Sequence, residues 1–442
     1  MRALFLALVG VAALAGSSGA APLSAVVQKR SVELYAEPSL DAARVAKLKR
    51  DTQVEIAAQQ GLWYRVKASS GAAGFLRVND VRIAYAGQED VDANLRALTG
   101  NKGGAGRVTE TAGVRGIDES DLKAASLDAA QLNAMIANRV DAATGAAYAA
   151  KQGRVATIVE FDAEARPAVS SGTPAGAPTQ SVSSAAKAVS GLLGSFGLPP
   201  SRLGNAIAAV PESSPQTAAE ERALGPEIAG RILGARPLWR DAAAQQRVNL
   251  VGRWVASQTS RADLPWTFGV IDEPEINAFA APGGFILVTR GLYELLSSDS
   301  EVAAVLSHEI SHCVQSDHYN VIRQQGMATY GKNLALQDLN ASVDSLAAGY
   351  AQRYAEEHGA AIMLTSLDRE AEYRSDEAAE IYLARAGMNP LALYAVLQKM
   401  IALGHESSAL AQLYKTHPAL DARMDRIDRR GYGALEPYLA RD

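Results

Sequence analysis

One stretch constrains this chain more than any other: Val302-Ala-Ala-Val-Leu-Ser-His-Glu-Ile-Ser-His-Cys-Val314. Ser298-Asp-Ser-Glu301 in front of it has the form of a capping box, and no glycine or proline interrupts the run, so the pattern predicts a helix. On that helix His308 and His312 stand one turn apart and project from one face, close enough to chelate a single ion. Zinc suits such a pair, and Glu309 beside them is placed to take a proton from an attacking water. The chain has only six histidines, so two at this spacing around a glutamate argue against chance.

A catalytic zinc site needs a third protein ligand and one open position. Two sources compete for that place. His318 follows His308 at the spacing of the metzincin motif, but Gln315 replaces the glycine that permits the turn there, so the helix is expected to carry His318 away. The other source is a carboxylate from Asp368-Arg-Glu-Ala-Glu-Tyr-Arg-Ser-Asp-Glu377, where spacing leaves Glu370, Glu372 and Asp376 open. Glu372 and Asp376 share a helix face, so one can bind the ion while the other holds a ligand histidine by a hydrogen bond.

The 442 residues have room for several domains, and 43 Lys plus Arg against 48 Asp plus Glu leave a net charge of −5, unlike a nucleic-acid binder. Residues 1–21 read as a signal peptide cut after Ala20 or Ala21: Arg2 supplies the charge, Ala3 to Ala15 the apolar core and Gly16 to Ala21 the small residues. No later run is long enough to span a membrane. Cys313 is the sole cysteine, which excludes an intrachain disulfide. The mature chain is therefore expected to be exported and soluble.

Residues 22–85 read as short strands broken by turns, with Val32-Glu-Leu34, Ala43 to Leu48, Thr52 to Ile56, Trp63 to Val66 and Gly74 to Leu76 as the strands. Residues 86–163 hold a helical pattern near Asp121 to Ala149 and a strand-like Arg154 to Glu160, without a readable role. Residues 164–215 contain seven of the seventeen prolines, and Lys187 and Arg202 are the only charges from Pro167 to Val210. That composition predicts a flexible linker. Residues 216–442 form the second folded unit: helix to about Ser257, strands at Trp266 to Ile271 and Phe285 to Thr289, then helices.

Two resemblances attach to these segments. Val32-Glu-Leu-Tyr-Ala-Glu-Pro-Ser39, Gly61-Leu-Trp-Tyr-Arg-Val66 and Gly74-Phe-Leu76 resemble the signatures of bacterial SH3-like domains, with Phe75 in place of the usual second tryptophan and Ala36 in the usual arginine-serine region. Trp63 is read as core. Ile276 to Leu292, Glu301 to His312, Arg369 to Asp376 and Thr416-His-Pro-Ala-Leu-Asp-Ala-Arg423 resemble the zinc metallopeptidase family of the CAAX prenyl endopeptidases and the membrane heat-shock protease, especially its soluble periplasmic members. Ser311 stands where that family usually has glycine. The resemblance implies His308, His312 and Glu372 as ligands of one zinc ion, Glu309 as catalytic base and Asp376 as the partner of a ligand histidine. It further implies that His417 stabilises the oxyanion or blocks the metal as a fourth ligand, that Arg423 braces the site and is, with His417, a catalytic candidate for supporting the oxyanion, and that Asn277 helps position substrate. Phe285, Ile286 and Leu287 are expected on an edge strand to which an extended peptide can add. His358 and His405 fit no motif and are assigned to surface or packing.

The expected architecture is an α+β, mainly helical zincin-type domain with a small sheet, tethered behind an all-β SH3-like barrel. The expected activity is exported zinc-dependent endopeptidase, acting on polypeptides such as misfolded envelope proteins, with the periplasm as its compartment. A non-catalytic assembly factor or chaperone whose zinc cleft and barrel bind clients is the rival reading.

Overall fold

The computed structural model describes residues 23–83, 98, 117–164, 215–330, 343–364, 366–404 and 407–441. The expected signal peptide, nearly all of the proline-rich stretch and His405 lie outside the described residues.

Seven strands, β1 (Leu23–Val27), β2 (Ser31–Tyr35), β3 (Arg44–Lys49), β4 (Gln53–Gln60), β5 (Trp63–Ala68), β6 (Ala73–Arg77) and β7 (Val81–Ile83), form one antiparallel sheet in the order β3-β2-β6-β5-β4-β1-β7. Alternation along each strand sends Leu23, Ala25, Leu34, Val54, Ile56, Val66 and Leu76 inward and leaves polar neighbours outside. Gly74 is required where it stands, because a Cβ there would lie 2.5 Å from the Tyr35 carbonyl oxygen. Trp63 is buried edge-on against Tyr35, with centroids 5.5 Å apart, in the core role expected of it. Strands β1 and β7 are not among the strands expected from the sequence.

Three short helices follow, α1 (Glu119–Ala124), α2 (Ala129–Ala137) and α3 (Ala142–Lys151). Asp118, Asp128 and Asp141 cap them in turn, which divides the single helical pattern of the sequence into three. The expected strand at Arg154 to Glu160 is not one. It lies extended but unpaired: the Thr157 amide donates to the Arg385 carbonyl at 2.8 Å and Arg385 Nε to the Val159 carbonyl at 2.7 Å, so its partners are a helix end and no sheet edge reaches it.

The chain continues with α4 (Pro215–Ala235), α5 (Ala242–Ala256), β8 (Thr267–Ile271), β9 (Ala278–Ala281), β10 (Phe285–Thr289), α6 (Arg290–Leu295), α7 (Asp299–Val314), α8 (Asp317–Tyr330), α9 (Val343–His358), α10 (Arg369–Arg385), α11 (Leu391–Ile401), α12 (Leu413–Thr416) and α13 (Leu420–Arg430). No described helix is long and apolar enough to cross a membrane. The small sheet has the order β8-β10-β9, with β10 parallel to β8 and antiparallel to β9. This corrects the edge-strand expectation for Phe285, Ile286 and Leu287: both edges of β10 are occupied and the strand is wholly buried. The edge falls instead on the unanticipated β9.

The barrel is not loosely tethered. Its apolar residues belong to the same buried cluster as α7, α10 and α11. Buried Gln398 of α11 accepts from the Ile83 amide at 3.0 Å and donates to the Val81 carbonyl at 2.6 Å, so it extends the ladder of β7 from across the seam.

Candidate metal centre

Helix α7 is buried along its whole length from Glu301 onward and packs on α10. Ser298 Oγ accepts from the Glu301 amide at 3.2 Å, as a cap should. The capping box is not closed as expected, because the Glu301 carboxylate reaches the Ser297 amide at 2.7 Å and the Lys399 ammonium at 2.7 Å instead. Lys399 and Glu301 are both buried, and Gln59 of the barrel donates to the second Glu301 oxygen at 3.1 Å. The start of the histidine helix is thus held by charge from α11 and by an amide from the barrel.

One ligand atom from each of His308, His312, Glu372 and His417 lies within 4.8 Å of all the others. The Nε2 atoms of His308 and His312 are 3.3 Å apart, and each is 3.5 Å from a Glu372 oxygen. His417 Nδ1 is 2.6 Å from Glu372 Oε2. The outer nitrogens of the two helix histidines face carboxylates: His308 Nδ1 is 3.0 Å from Asp376 Oδ1, and His312 Nδ1 is 2.9 Å from Asp317 Oδ2. Nδ1–H donated outward leaves both Nε2 lone pairs aimed at the centre. Glu372 Oε1 is buried and has no hydrogen-bond partner, which a carboxylate in a closed interior does not tolerate without a cation to face. Three imidazoles and a carboxylate are a donor set that fits zinc.

The electrostatics agree with the geometry. Burial works against the charge on Glu372, but the imidazoles of His417, His308 and His312 outweigh it and hold the carboxyl well below the usual range. Burial likewise opposes the Asp376 charge, but the Arg423 guanidinium and the His308 ring together outweigh it and hold the carboxyl well below the usual range. Arg423 Nε and Nη2 grip Asp376 at 2.9 and 2.5 Å. That fork places Arg423 behind Asp376 and the His308 ring, in a bracing position. Glu309 is 4% exposed and makes no hydrogen bond with any described residue, so its carboxylate is not engaged elsewhere.

His318 departs from expectation in an instructive way. The helix does break after Gln315 without a glycine, because Ser316 takes the left-handed conformation at φ 56°. Its hydroxyl accepts from Arg261 at 2.9 Å and donates to Glu221 at 3.1 Å, while Arg261 also donates to the Cys313 carbonyl at 2.8 Å. This buried pair stabilises a turn that glycine would otherwise supply. The returning chain brings His318 to a centroid distance of 5.9 Å from His312 but outside the four-donor group. Burial, then the charge of His312, push His318 down to about 3, which keeps it neutral. Asp317, which the sequence reading missed, arrives by the same turn and is held on its far side by Arg374 at 2.7 Å.

Asn277 precedes β9; its amide donates to the Thr289 hydroxyl at 3.0 Å and its carbonyl accepts from the Thr289 amide at 3.0 Å, and it is 2% exposed with both side-chain amide atoms unpartnered. Ser311 is fully buried one residue before His312. His358 stacks on Tyr354 with centroids 3.9 Å apart.

Residues 242–431 match the model of peptidase family M48, and residues 28–82 match the bacterial SH3 domain. The chain thus has a segment similar to peptidase family M48 behind a segment similar to bacterial SH3 domains. Similar curated proteins include the beta-barrel assembly-enhancing protease of Escherichia coli K12, 28% identical over 206 residues that make up 46% of this chain and 42% of that protein. The mitochondrial metalloendopeptidase OMA1 of Arabidopsis thaliana is 30% identical over 35% of this chain and 30% of its own length. The metalloprotease LoiP of Escherichia coli K12 is 26% identical over 38% of this chain and 63% of its own. The chain spans less than half the length of the assembly-enhancing protease it matches. Both domains agree with the architecture expected from the sequence, an all-β barrel ahead of a mainly helical peptidase with a small sheet.

Proposed function

We propose that this chain is a zinc-dependent endopeptidase that acts on polypeptides in the cell envelope, exported by the leader at residues 1–21 and working in the periplasm. Its reading as a soluble-type relative of the CAAX prenyl endopeptidases and the heat-shock protease belongs to the same proposal. The observation that carries it is the convergence of His308, His312, Glu372 and His417 within 4.8 Å, with Glu309 on the same helix.

His308, His312 and Glu372 would hold one zinc ion, oriented by Asp376 and Asp317. Zinc, when bound, supplies a Lewis acid that polarises the scissile carbonyl and acidifies water. Glu309 takes the water proton and delivers it to the leaving amine. Arg423 holds Asp376, and through it the His308 ring, in place. His417 either donates to the developing oxyanion or occupies the open position as a latch. Strand β9 is last in the sheet order and runs beside the metal helix, where Cys313 Sγ of α7 donates to the Ala281 carbonyl at 3.4 Å; its four residues are buried, so an extended substrate would pair with β9 only after displacing what covers it. Asn277 at the entry of that strand offers an unpartnered amide to the substrate backbone.

Metal analysis of purified mature chain tests the ligand set. One zinc per chain, lost in Glu372→Ala and kept in His318→Ala, is expected; loss in His318→Ala alone would replace this ligand set with the metzincin one. His417→Ala that cleaves casein faster than wild type makes His417 a latch, and slower cleavage makes it the oxyanion donor.

A further inference from the structure

Helix α13 has two charged faces. Asp421, Asp425 and Asp428 share one, and Arg423, Arg426 and Arg430 share the other. The arginines all turn to the helix that carries Glu372: Arg423 to Asp376, Arg426 to Glu370 at 3.4 Å, and Arg430 to Glu377 at 3.0 Å and to Glu380. The aspartates turn to a single barrel residue. Arg82 lies 2.7 Å from Asp428, 3.1 Å from Asp425 and 3.6 Å from Asp421, with its own side chain only 13% exposed. Tyr394 also donates to Asp428, at 3.2 Å.

The N-terminus of α13 begins at Ala419 with no side-chain cap, so its ion pairs and the packing of its apolar side set where it lies along its axis. Arg82 itself is fixed. It sits between Val81 and Ile83, whose carbonyl and amide are both bonded to buried Gln398, so the barrel cannot shift Arg82 without breaking a ladder inside the seam.

We propose that Arg82 is a positioning residue for the metal centre: through the aspartate face of α13 it sets the height of Arg423, and thereby the Asp376 carboxylate that orients His308. The barrel is then a working part of the peptidase rather than an independent binding module. The inference rests on the metal-site reading above. A ligand histidine held by a displaced carboxylate loses orientation and basicity, so the effect falls on metal retention and on kcat, with KM little changed.

The test uses the full mature chain, measuring zinc release to a chelator well below each variant's melting temperature and separating kcat from KM on casein. Arg82→Gln is expected to release zinc about 10-fold faster, the low end for loss of a ligand's outer partner. Arg82→Lys should recover part of this. Arg77→Gln is the structural control, because Arg77 also crosses the seam but donates to the Leu439 carbonyl and not to α13. It should lower melting temperature and leave zinc release unchanged. In an Arg423→Lys background, Arg82→Gln should add nothing further. Wild-type zinc release and kcat in Arg82→Gln, or equal effects from Arg77→Gln, would overturn the proposal. A wild-type chain that binds no zinc would instead overturn the metal-site reading, a separate failure.

Discussion

Asp317→Ala is the substitution whose consequence can be worked most fully from the site. Asp317 is 10% exposed at its side chain and faces His312 Nδ1 at 2.9 Å, so solvent screens the contact little. A hydrogen bond to a charged group contributes about 1.5–3 kcal/mol, and removing a ligand's outer partner costs roughly 10–100-fold in metal affinity. Two features place this case near the lower end. Ser375 Oγ, 3.2 Å from the same nitrogen, remains as an acceptor, and Arg374, 33% exposed, can turn to water once its carboxylate partner is gone. The expected loss is therefore about 10–30-fold in zinc affinity, near 1.4–2 kcal/mol. Competition against a chromogenic chelator near neutral pH measures it, with circular dichroism to show that the fold is kept. Asp317→Asn, which keeps an acceptor oxygen but not the charge, should fall between alanine and wild type. Zinc affinity within about twofold of wild type in Asp317→Ala would refute the assignment of Asp317 as the partner that orients His312.

Lys399→Met should destabilise the chain by about 3 kcal/mol, because it strands the buried Glu301 carboxylate at the start of α7 with only neutral partners. Urea unfolding checks this, and Lys399→Met combined with Glu301→Gln should regain most of the loss; no loss in the single variant would contradict the buried pair. Burial raises Glu380 to about 8 in spite of Arg430, above its value in an unfolded chain. A raised carboxyl favours the fold below the unfolded value and costs stability as pH rises toward and through about 8. Glu380→Gln should therefore raise the melting temperature more at alkaline than at acid pH, since Arg430 keeps Glu377; a uniform change across pH would count against it.

What the sequence made legible follows the physics of short range. His308 and His312 could be read as a pair because helix periodicity alone places them on one face with Glu309 beside it, whereas spacing left Glu370, Glu372 and Asp376 open on a second helix and only the resemblance chose Glu372 as ligand and Asp376 as the partner of a ligand histidine. Joining the two helices took a family resemblance, since no local pattern says that α7 and α10 pack together. The errors came from contacts made across long sequence separations. Ser316 adopts a left-handed turn because Arg261 and Glu221, distant in sequence, hold its hydroxyl, and a rule that demands glycine cannot anticipate that. Arg154 to Glu160 has strand composition but meets a helix end, and β10 has edge-strand length but acquires β9 as a neighbour. The docking of the barrel was equally invisible, because Gln59, Arg82 and Gln398 look like ordinary surface residues until the seam is formed.

The central claim is that His308, His312 and Glu372 form a zinc centre served by Glu309. Casein cleavage and zinc content, measured together for wild type and Glu309→Gln, test it most directly. The account predicts one zinc per chain in both proteins and cleavage in wild type alone, with the variant slowed by at least about 100-fold. Cleavage retained by Glu309→Gln, or a wild-type chain that holds zinc and cuts nothing even with His417 replaced by alanine, would contradict it and favour a client-binding role for the cleft.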